Sequence, residues 1–202
     1  MAVFLVDDDA SVRKALTRLI KSAGYQVHAF ASADEFLDYH PDADGPGCLV
    51  LEVRMPGLNG LDLQRKLHDA NVPVPIIFIT GHGDIPTSVK AMKAGAVDFL
   101  PKPVQDHELL RAIDHALARS KVEGAKRAEI AEILRRVETL TPREHEVMEF
   151  VATGMLNKQI AYQLGTVEKT IKVHRARVME KMAVGSVAEL VRIVERAGLG
   201  KT

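Results

Sequence analysis

The stretch Cys48–Gly60, CLVLEVRMPGLNG, decides the fold of the first half of this chain. Its apolar run over residues 48–51 is typical of a parallel strand that is buried on both faces. Glu52 stands where the run ends, and Met55-Pro56-Gly57 forms the turn behind it. Because ligands of open α/β sheets bind outside the carboxyl ends of the strands, Glu52 is a candidate site residue.

Strand-like and helix-like segments alternate on both sides of this stretch. The patterns predict further strands at 3–6, 25–29, 75–80 and 97–100, and helices at 11–23, 32–39, 60–69, 85–94 and 104–119. Residues 41–47 are predicted to form a polar loop. Five alternating units indicate an α/β domain whose parallel sheet is covered on both faces.

Polar side chains follow the ends of four of these strands. They are Asp7 and Asp8 after the first, Glu52 at the third, Thr80 at the fourth and Lys102 after the fifth. The carboxyl ends of the strands should converge at one edge of the sheet. Carboxylates crowded there repel one another, and a Mg²⁺ ion would relieve that repulsion. Lys102 and Thr80 would then be placed to contact a phosphoryl oxygen.

Residues 1–120 resemble the receiver domain of two-component response regulators. The resemblance is carried by Val6–Asp9, Arg54–Gly57 with Asn59-Gly60, Thr80–Asp84, Met92–Ala96 and Lys102-Pro103. It implies a flavodoxin-like (CheY-like) doubly wound sheet of order 2-1-3-4-5, a Mg²⁺ cofactor and a cognate sensor histidine kinase. By the same resemblance, the metal ligands are Asp7, Asp8, Glu52 and the backbone carbonyl of Arg54. The phosphoryl and switch residues are then Thr80, Lys102 and Phe99.

One position departs from the family, in which the phosphoacceptor is an aspartate: this chain has Glu52. The carboxylate of Glu lies one methylene, ~1.5 Å, farther out, and in-line attack on a phosphohistidine requires closer placement than that. The longer anion can instead extend toward the phosphoryl position and imitate part of the activated state. Partial activation and silencing of the acceptor both remain open. The Gly81–Asp84 loop, with an exposed His82, is predicted to be mobile.

Residues 121–138 are predicted to be a helical linker. The preceding helix either stops near Arg119 or continues as one long helix with a weak point at Gly124, and the pattern favours the long helix. Ile130, Leu134 and Val137 form an apolar row on it. That row either self-associates or packs on the following domain.

Residues 139–202 are predicted to form four helices, with Thr141 as the first N-cap, Glu144 as its capping-box partner and Asn157 as the second N-cap. A short helix, a tight turn and a longer basic helix are typical of a helix-turn-helix. This part resembles the LuxR-type DNA-binding domain of the FixJ/NarL group. The matching segments are Leu140–Glu144, Asn157–Ala161, Leu164-Gly165, Thr170–His174 and Lys181-Met182, together with Gly154. The resemblance implies DNA contacts from Lys169, Lys172, Val173, Arg175 and Arg177, a homodimer, and RNA polymerase as a further partner.

The charge distribution fits two domains with different partners. Residues 1–120 carry 12 Lys and Arg against 16 Asp and Glu, whereas residues 121–202 carry 15 against 11. The single cysteine is expected to be a small core residue, and no apolar run is long enough to span a membrane, which predicts a cytoplasmic protein.

The predicted function is that of a DNA-binding response regulator that controls transcription, with Glu52 at the acceptor position. The alternative is a phosphorylation-independent transcription factor whose degenerate receiver serves dimerisation or protein contact. A Mg²⁺-dependent phosphatase is a third reading, but it gives the basic helix-turn-helix no role, so an enzyme is not expected.

Overall fold

The computed structural model describes residues 1–39, 47–81 and 85–199. The first unit, residues 1–124, contains β1 Ala2–Val6, α1 Ala10–Ser22, β2 Gln26–Phe30, α2 Ala33–Tyr39, β3 Gly47–Glu52, α3 Gly60–Asp69, β4 Ile76–Thr80, α4 Ile85–Lys93, β5 Asp98–Pro101 and the first part of α5 Asp106–Glu138. Most of the predicted polar loop, and His82, Gly83 and Asp84 of the predicted mobile loop, lie outside the described residues. None of the described helices combines the length and apolar character needed to cross a membrane.

The five strands form one sheet in the order β2-β1-β3-β4-β5, and every neighbouring pair is parallel. The predicted fold class is therefore confirmed. Val6 is in register with Leu51, and Glu52 with Ile79. Thr80 is in register with Pro101. This register brings the carboxyl ends of β1, β3, β4 and β5 to the same edge of the sheet.

The sheet is buried on both faces, as the apolar runs of its strands predict. All six residues of β3 are buried, including Cys48. Alternate residues of the strands enter two separate cores because successive side chains of a strand point to opposite faces. One core joins the sheet to α2, α3 and α4 through Phe36, Leu63 and Ala91. The other joins it to α1 and α5 through Ile20, Leu109 and Ile113.

The helix that follows β5 does not stop near Arg119. It runs from Asp106 to Glu138, through Gly124, so the predicted long helix is confirmed. Near its end, Ile133 is buried in the core of the second unit and Val137 packs against that core. Of the two alternatives for the row formed by Ile130, Leu134 and Val137, packing on the following domain therefore holds for Val137. Leu134 remains 40% exposed.

The second unit, residues 125–202, contains the rest of α5 with α6 Pro142–Ala152, α7 Asn157–Gln163, α8 Glu168–Lys181 and α9 Val187–Arg196. These helices enclose one apolar core, to which α6 contributes Met148, α7 Ile160, α8 Ile171 and α9 Leu190. The predicted capping box of α6 is confirmed, with Thr141 as N-cap and Pro142 in the first turn.

The predicted cap of α7 is wrong by one residue. The N-cap is Leu156, and Asn157 is the first residue of the helix. The side chain of Asn157 accepts a hydrogen bond from Arg175 Nη1 at 2.9 Å and so serves another helix. The backbone N–H of Leu156 donates instead to Gln159 Oε1, at 2.8 Å. Gln159 thus supplies only the part of a capping box that binds the N-cap N–H, because a leucine side chain has no acceptor for the N–H groups of the first turn.

Glu144 links the start of α6 to the end of α8. Its Oε2 accepts hydrogen bonds from Lys181 Nζ at 2.6 Å and from the Thr141 backbone N–H at 3.0 Å. The Glu144 side chain is buried. The bond from Lys181, followed by that from Thr141, lowers the pKa of Glu144 to about 2. Because the folded-state pKa is below its ordinary value of 4.5, the contribution of Glu144 to stability is complete above pH 4.5 and is lost as pH falls toward 2.

We predict that Lys181→Met lowers the free energy of unfolding of the second unit by about 2 kcal/mol at pH 7 and flattens its decrease between pH 4.5 and 2. Denaturant titration of the full chain, followed by circular dichroism, measures both effects. Lys158→Met, at an exposed position of α7, is the matched control and should leave both unchanged. An unaltered pH dependence in Lys181→Met would show that Glu144 is not held by this lysine.

Candidate functional site

The sheet register places the predicted receiver residues at one edge. Asp7 follows β1, and Glu52 and Thr80 are the last residues of β3 and β4. Lys102 follows β5, and its backbone N–H donates to the Thr80 carbonyl at 2.8 Å. Asp7 and Thr80 are almost completely buried, whereas Asp8 is exposed. Residues from four separate strands therefore meet where the parallel topology predicts that they should.

Lys102 forms the centre of this site. Its ammonium Nζ lies 2.5 Å from Asp7 Oδ2 and 2.5 Å from Glu52 Oε2. The second oxygen of each carboxylate accepts a backbone hydrogen bond. Asp7 Oδ1 accepts from the N–H of Asp9 at 2.9 Å, and Glu52 Oε1 accepts from the N–H of Arg54 at 3.0 Å. Both carboxylates are thus fixed at both oxygens, and a single cation joins them.

Burial and the ion pairs act on the site in opposite directions. Burial raises the pKa of Asp7, and the hydrogen bonds from Lys102 and Asp9 only partly offset this effect. Burial alone would favour the neutral amine of Lys102, but its bonds to Asp7 and Glu52 outweigh burial and raise the pKa of the ammonium. Lys102 is therefore held as a cation. Its positive charge in turn lowers the free-energy cost of burying the two carboxylates.

The loop behind Glu52 is held close to the strand end. The N–H of Gly60, at the start of α3, donates to the Val53 carbonyl at 2.9 Å. A Cβ at position 60 would collide with the Glu52 carbonyl oxygen, so only glycine permits this approach. Asn59 caps α3 by accepting from the N–H of Asp62 at 2.9 Å. The helix start and the strand end are consequently fixed to each other beside Glu52.

Phe99, the predicted switch aromatic, lies on β5 and is half-buried. Its ring centroid is 6.1 Å from that of Phe78 on β4, and the ring packs against the core under α4. Arg13 was not anticipated from the sequence. Its Nη1 donates to the Asp7 carbonyl at 2.7 Å and so orients the loop that carries the buried acid. An arginine near the start of α1, a few residues after the acidic run, was the available signal.

The arrangement of the carboxylates bears on the Mg²⁺ site that the sequence predicts. Within residues 1–39, 47–81 and 85–199, three or more Asp, Glu, His or Cys side chains do not come together as a metal-binding group. The two carboxylates that do converge, Asp7 and Glu52, share the Lys102 ammonium. Both carboxylates are paired with the Lys102 ammonium, so a divalent cation that binds to them has to compete with this lysine.

The second unit presents a helix-turn-helix formed by α7 and α8. Gly165, in the turn between them, has a φ of +60°, which a glycine adopts without strain. Along α8, Ile171 and Val178 are fully buried and fix the inner face of the helix. Lys169, Val173 and Arg177 lie on the exposed side, Val173 being 47% exposed. A helix held by one face and cationic on the other can enter a groove of DNA.

Two of the predicted DNA-contacting residues have partners within the domain. Lys172 Nζ lies 3.1 Å from Glu168 Oε1, in an exposed pair that contributes little to stability. Arg175 lies toward α7 and donates to Asn157, so it joins the two helices of the motif. Lys169, Lys172 and Arg177 are therefore better placed for phosphate contacts than Arg175.

Comparison with known proteins assigns a family to each of the two units. Residues 3–114 match the family described as "Response regulator receiver domain", and residues 138–194 match "Bacterial regulatory proteins, luxR family". The chain is 50% identical to nodulation protein W of Bradyrhizobium diazoefficiens over 98% of this chain and 86% of that protein. It is 44% identical to the transcriptional regulatory protein FixJ of the same organism, over 98% and 96% of the two chains.

A solved structure of the response regulator StyR has 46% sequence identity and a TM-score of 0.84, and the match covers 96% of this chain and 98% of that one. The receiver family usually binds Mg²⁺. The five-stranded parallel sheet and the helical second unit thus agree with relatives that match along nearly the whole chain. This chain belongs to the FixJ/NarL family of two-component response regulators, and it is a DNA-binding response regulator with a receiver domain and a LuxR-type domain.

Proposed function

We propose that this response regulator has a receiver fixed in one partly active state, so that its DNA binding does not depend on a phosphodonor. The observation that carries the proposal is the Lys102 ammonium, 2.5 Å from both Asp7 Oδ2 and Glu52 Oε2. In the family, this lysine is the residue that contacts the phosphoryl group. Here a side-chain anion already occupies it.

Glu52 is poorly arranged for nucleophilic attack. One oxygen is paired with Lys102 and the other accepts from the Arg54 N–H, so attack would require breaking one of these contacts in a buried site. The additional methylene also displaces the carboxylate by ~1.5 Å relative to an aspartate. We therefore expect that a phosphohistidine donor does not transfer its phosphoryl group to this residue at a useful rate.

Partial activity is favoured over silencing because Glu52 supplies Lys102 with the kind of contact that a phosphoryl oxygen would supply. A carboxylate has two oxygens and one charge, whereas a phosphoryl group has three oxygens and nearly two charges. Only one oxygen of Glu52 is directed to Lys102. The signal passed through Thr80 and Phe99 should therefore be weaker than that of a phosphorylated receiver.

The remaining roles are inferred from the family and from the exposed face of α8. We infer that Lys169, Lys172, Val173 and Arg177 contact double-stranded DNA, that Arg175 holds α8 against α7, and that a homodimer binds two half-sites. A sensor histidine kinase and RNA polymerase are the expected protein partners. The proposed place of action is the cytoplasm, because the target is DNA, and the proposed role is regulation rather than enzymatic turnover.

The proposal predicts different responses from this chain and from Glu52→Asp. Acetyl phosphate with Mg²⁺ should leave the DNA affinity of the unmodified chain unchanged and add no phosphoryl mass of about 80 Da. Unphosphorylated Glu52→Asp should bind DNA more weakly than the unmodified chain, and phosphodonor should raise its affinity above that of the unmodified chain. Mass spectrometry and fluorescence anisotropy with a DNA duplex measure the two responses.

Glu52→Gln, which keeps the length but not the charge, is the matched control for this comparison. It should bind DNA as weakly as unphosphorylated Glu52→Asp and should not respond to phosphodonor. Equal DNA affinities of the unmodified chain, Glu52→Asp and Glu52→Gln would contradict the partly active state. Phosphorylation of Glu52 itself would contradict the proposal that the receiver does not respond to a phosphodonor.

A second prediction concerns the metal. We propose that Mg²⁺, when it binds, uses Asp7, Asp8, Glu52 and the Arg54 carbonyl in competition with Lys102. Lys102→Met should therefore bind Mg²⁺ about tenfold more tightly than the unmodified chain, because its two carboxylates lose their internal cation. Thermal unfolding as a function of Mg²⁺ concentration measures the difference.

Lys14→Met, at an exposed position of α1, is the control for removal of a lysine elsewhere in the receiver. Adding Asp7→Asn to Lys102→Met should abolish the gain in Mg²⁺ affinity. Weaker Mg²⁺ binding by Lys102→Met than by the unmodified chain would contradict the competition.

A third prediction concerns DNA. Lys169→Ala and Arg177→Ala should each weaken binding to a nonspecific duplex, and each should reduce the slope of log affinity against log salt by about one. Lys126→Ala, at an exposed position of α5, is the charge-matched control and should change neither quantity. Salt titrations followed by anisotropy give the slopes, and an unchanged slope in both α8 variants would exclude this face as the phosphate-contacting one.

A further inference from the structure

The receiver contains a cavity of about 630 Å³ at the edge of the sheet opposite to Glu52. Its lining includes Ile76, the first residue of β4, and Gly95, which precedes β5. The ends of α3 and α4 and part of α5 complete it. We infer that this cavity binds a small organic anion with an apolar body and one carboxylate. The inference goes beyond the proposed function and does not rest on it.

The floor of the cavity is apolar and well formed. Leu67 and Ile76 are 4% and 6% exposed, and Val72 and Val74 are half-buried beside them. The volume lies in the range of about 300–1,000 Å³ that is usual for small-molecule sites. A ligand with an aromatic or alicyclic body would remove the apolar floor of the cavity from water. This hydrophobic burial would supply most of the binding free energy.

The wall between α3 and α4 is held by a buried amide. Gln64 is 5% exposed, and its Nε2 donates to the carbonyl oxygens of Ala91 and Ala94, at 3.2 Å each. These carbonyls are in the last part of α4 and just after it. The bonds fix the separation of the two helices along this wall of the cavity.

The charges around the opening favour an anion. Two of its cations are paired locally: Arg65 contacts Asp62, and Arg119 Nε lies 2.8 Å from Glu123 Oε1. Lys90 and Lys93, on the last part of α4, are exposed and line the same cavity. Neither lysine takes part in an ion pair within the described residues. With two acids and four cations in the lining, His68 aside, the opening carries two uncompensated positive charges.

An apolar floor beneath two uncompensated lysines selects a ligand by both properties together. An uncharged apolar molecule would bury apolar surface but make no ionic contact with the lysines. A small inorganic anion would make the ionic contact but bury little apolar surface. An apolar carboxylate gains both, and the ionic contact is a charge-assisted hydrogen bond at the edge of an apolar site. The two properties can be separated experimentally with matched probes.

The test uses the full chain and three probes in isothermal titration calorimetry: 2-naphthoate, the neutral 2-naphthylmethanol and inorganic phosphate. We expect 2-naphthoate to bind with one-to-one stoichiometry, the alcohol to bind about tenfold more weakly, and phosphate to give no measurable binding. Backbone amide NMR shifts induced by 2-naphthoate should be largest at Val72 and Gly95. No binding of 2-naphthoate at millimolar concentration would overturn the inference.

Two variants and one control assign the binding to this cavity. Lys90→Gln with Lys93→Gln should lower the affinity for 2-naphthoate about tenfold, to that of the alcohol, and leave the alcohol unaffected. Val74→Trp should fill the cavity and abolish binding of both aromatic probes. Lys66→Gln, on an exposed part of α3 outside the lining, should change nothing.

Several results would contradict the assignment. Equal affinities for 2-naphthoate and the alcohol would mean an apolar cavity without anion selection. Phosphate binding as tight as that of 2-naphthoate would mean a simple surface anion site. An equal loss in Lys66→Gln and in the double variant would mean a general charge effect of the receiver. Each of these results would reject the proposed ligand class.

Discussion

The receiver depends on one constraint: two buried carboxylates share one buried ammonium. Asp7 and Glu52 come from different strands, and each would be costly to bury as an isolated anion. Lys102 neutralises both, with its Nζ 2.5 Å from an oxygen of each. Under the proposed function, this contact also occupies the group that would bind a phosphoryl oxygen. Stability and signalling would then depend on the same lysine, and a substitution of Glu52 should change both.

The parallel topology explains why such a constraint can exist. Because β1, β3, β4 and β5 all run in the same direction, their carboxyl ends bring residues that are up to 95 positions apart into contact. Glycine at position 60 and the cap at Asn59 hold α3 close behind Glu52. The site is thus carried by the rigid ends of strands and by tightly fixed turns.

Much of this could be predicted from the sequence, and the exceptions have a common cause. Apolar runs that end in acids, a threonine and a lysine indicate the sheet and its functional edge because both follow from periodicity and from position along the strand. The bridging role of Lys102 could not be predicted, since the same residues also suit a metal site, and the choice depends on where a flexible side chain lies. The bonds from Arg13 to Asp7 and from Arg175 to Asn157 were missed for the same reason. Each depends on where a long arginine side chain lies, and periodicity does not fix this position. The N-cap of α7 was misplaced because a polar Asn157 suits a cap better than Leu156 does.

The balanced net charge of the chain conceals how its charges are used. At the carboxyl edge of the receiver, Lys102 and two acids compensate one another inside the protein, and in the second unit Lys181 does the same for Glu144. Other cations take part in no ion pair within the described residues, and these include Lys169 and Arg177 on the outer face of α8 and Lys90 and Lys93 beside the cavity under α4. Buried ion pairs restrict conformation but cannot contact a partner. Exposed cations have little desolvation cost in the free protein, and they form favourable ionic contacts when an anion binds. The two proposals place ligands at such cations: a polyanion at α8, and a small apolar anion at the amino edge of the sheet.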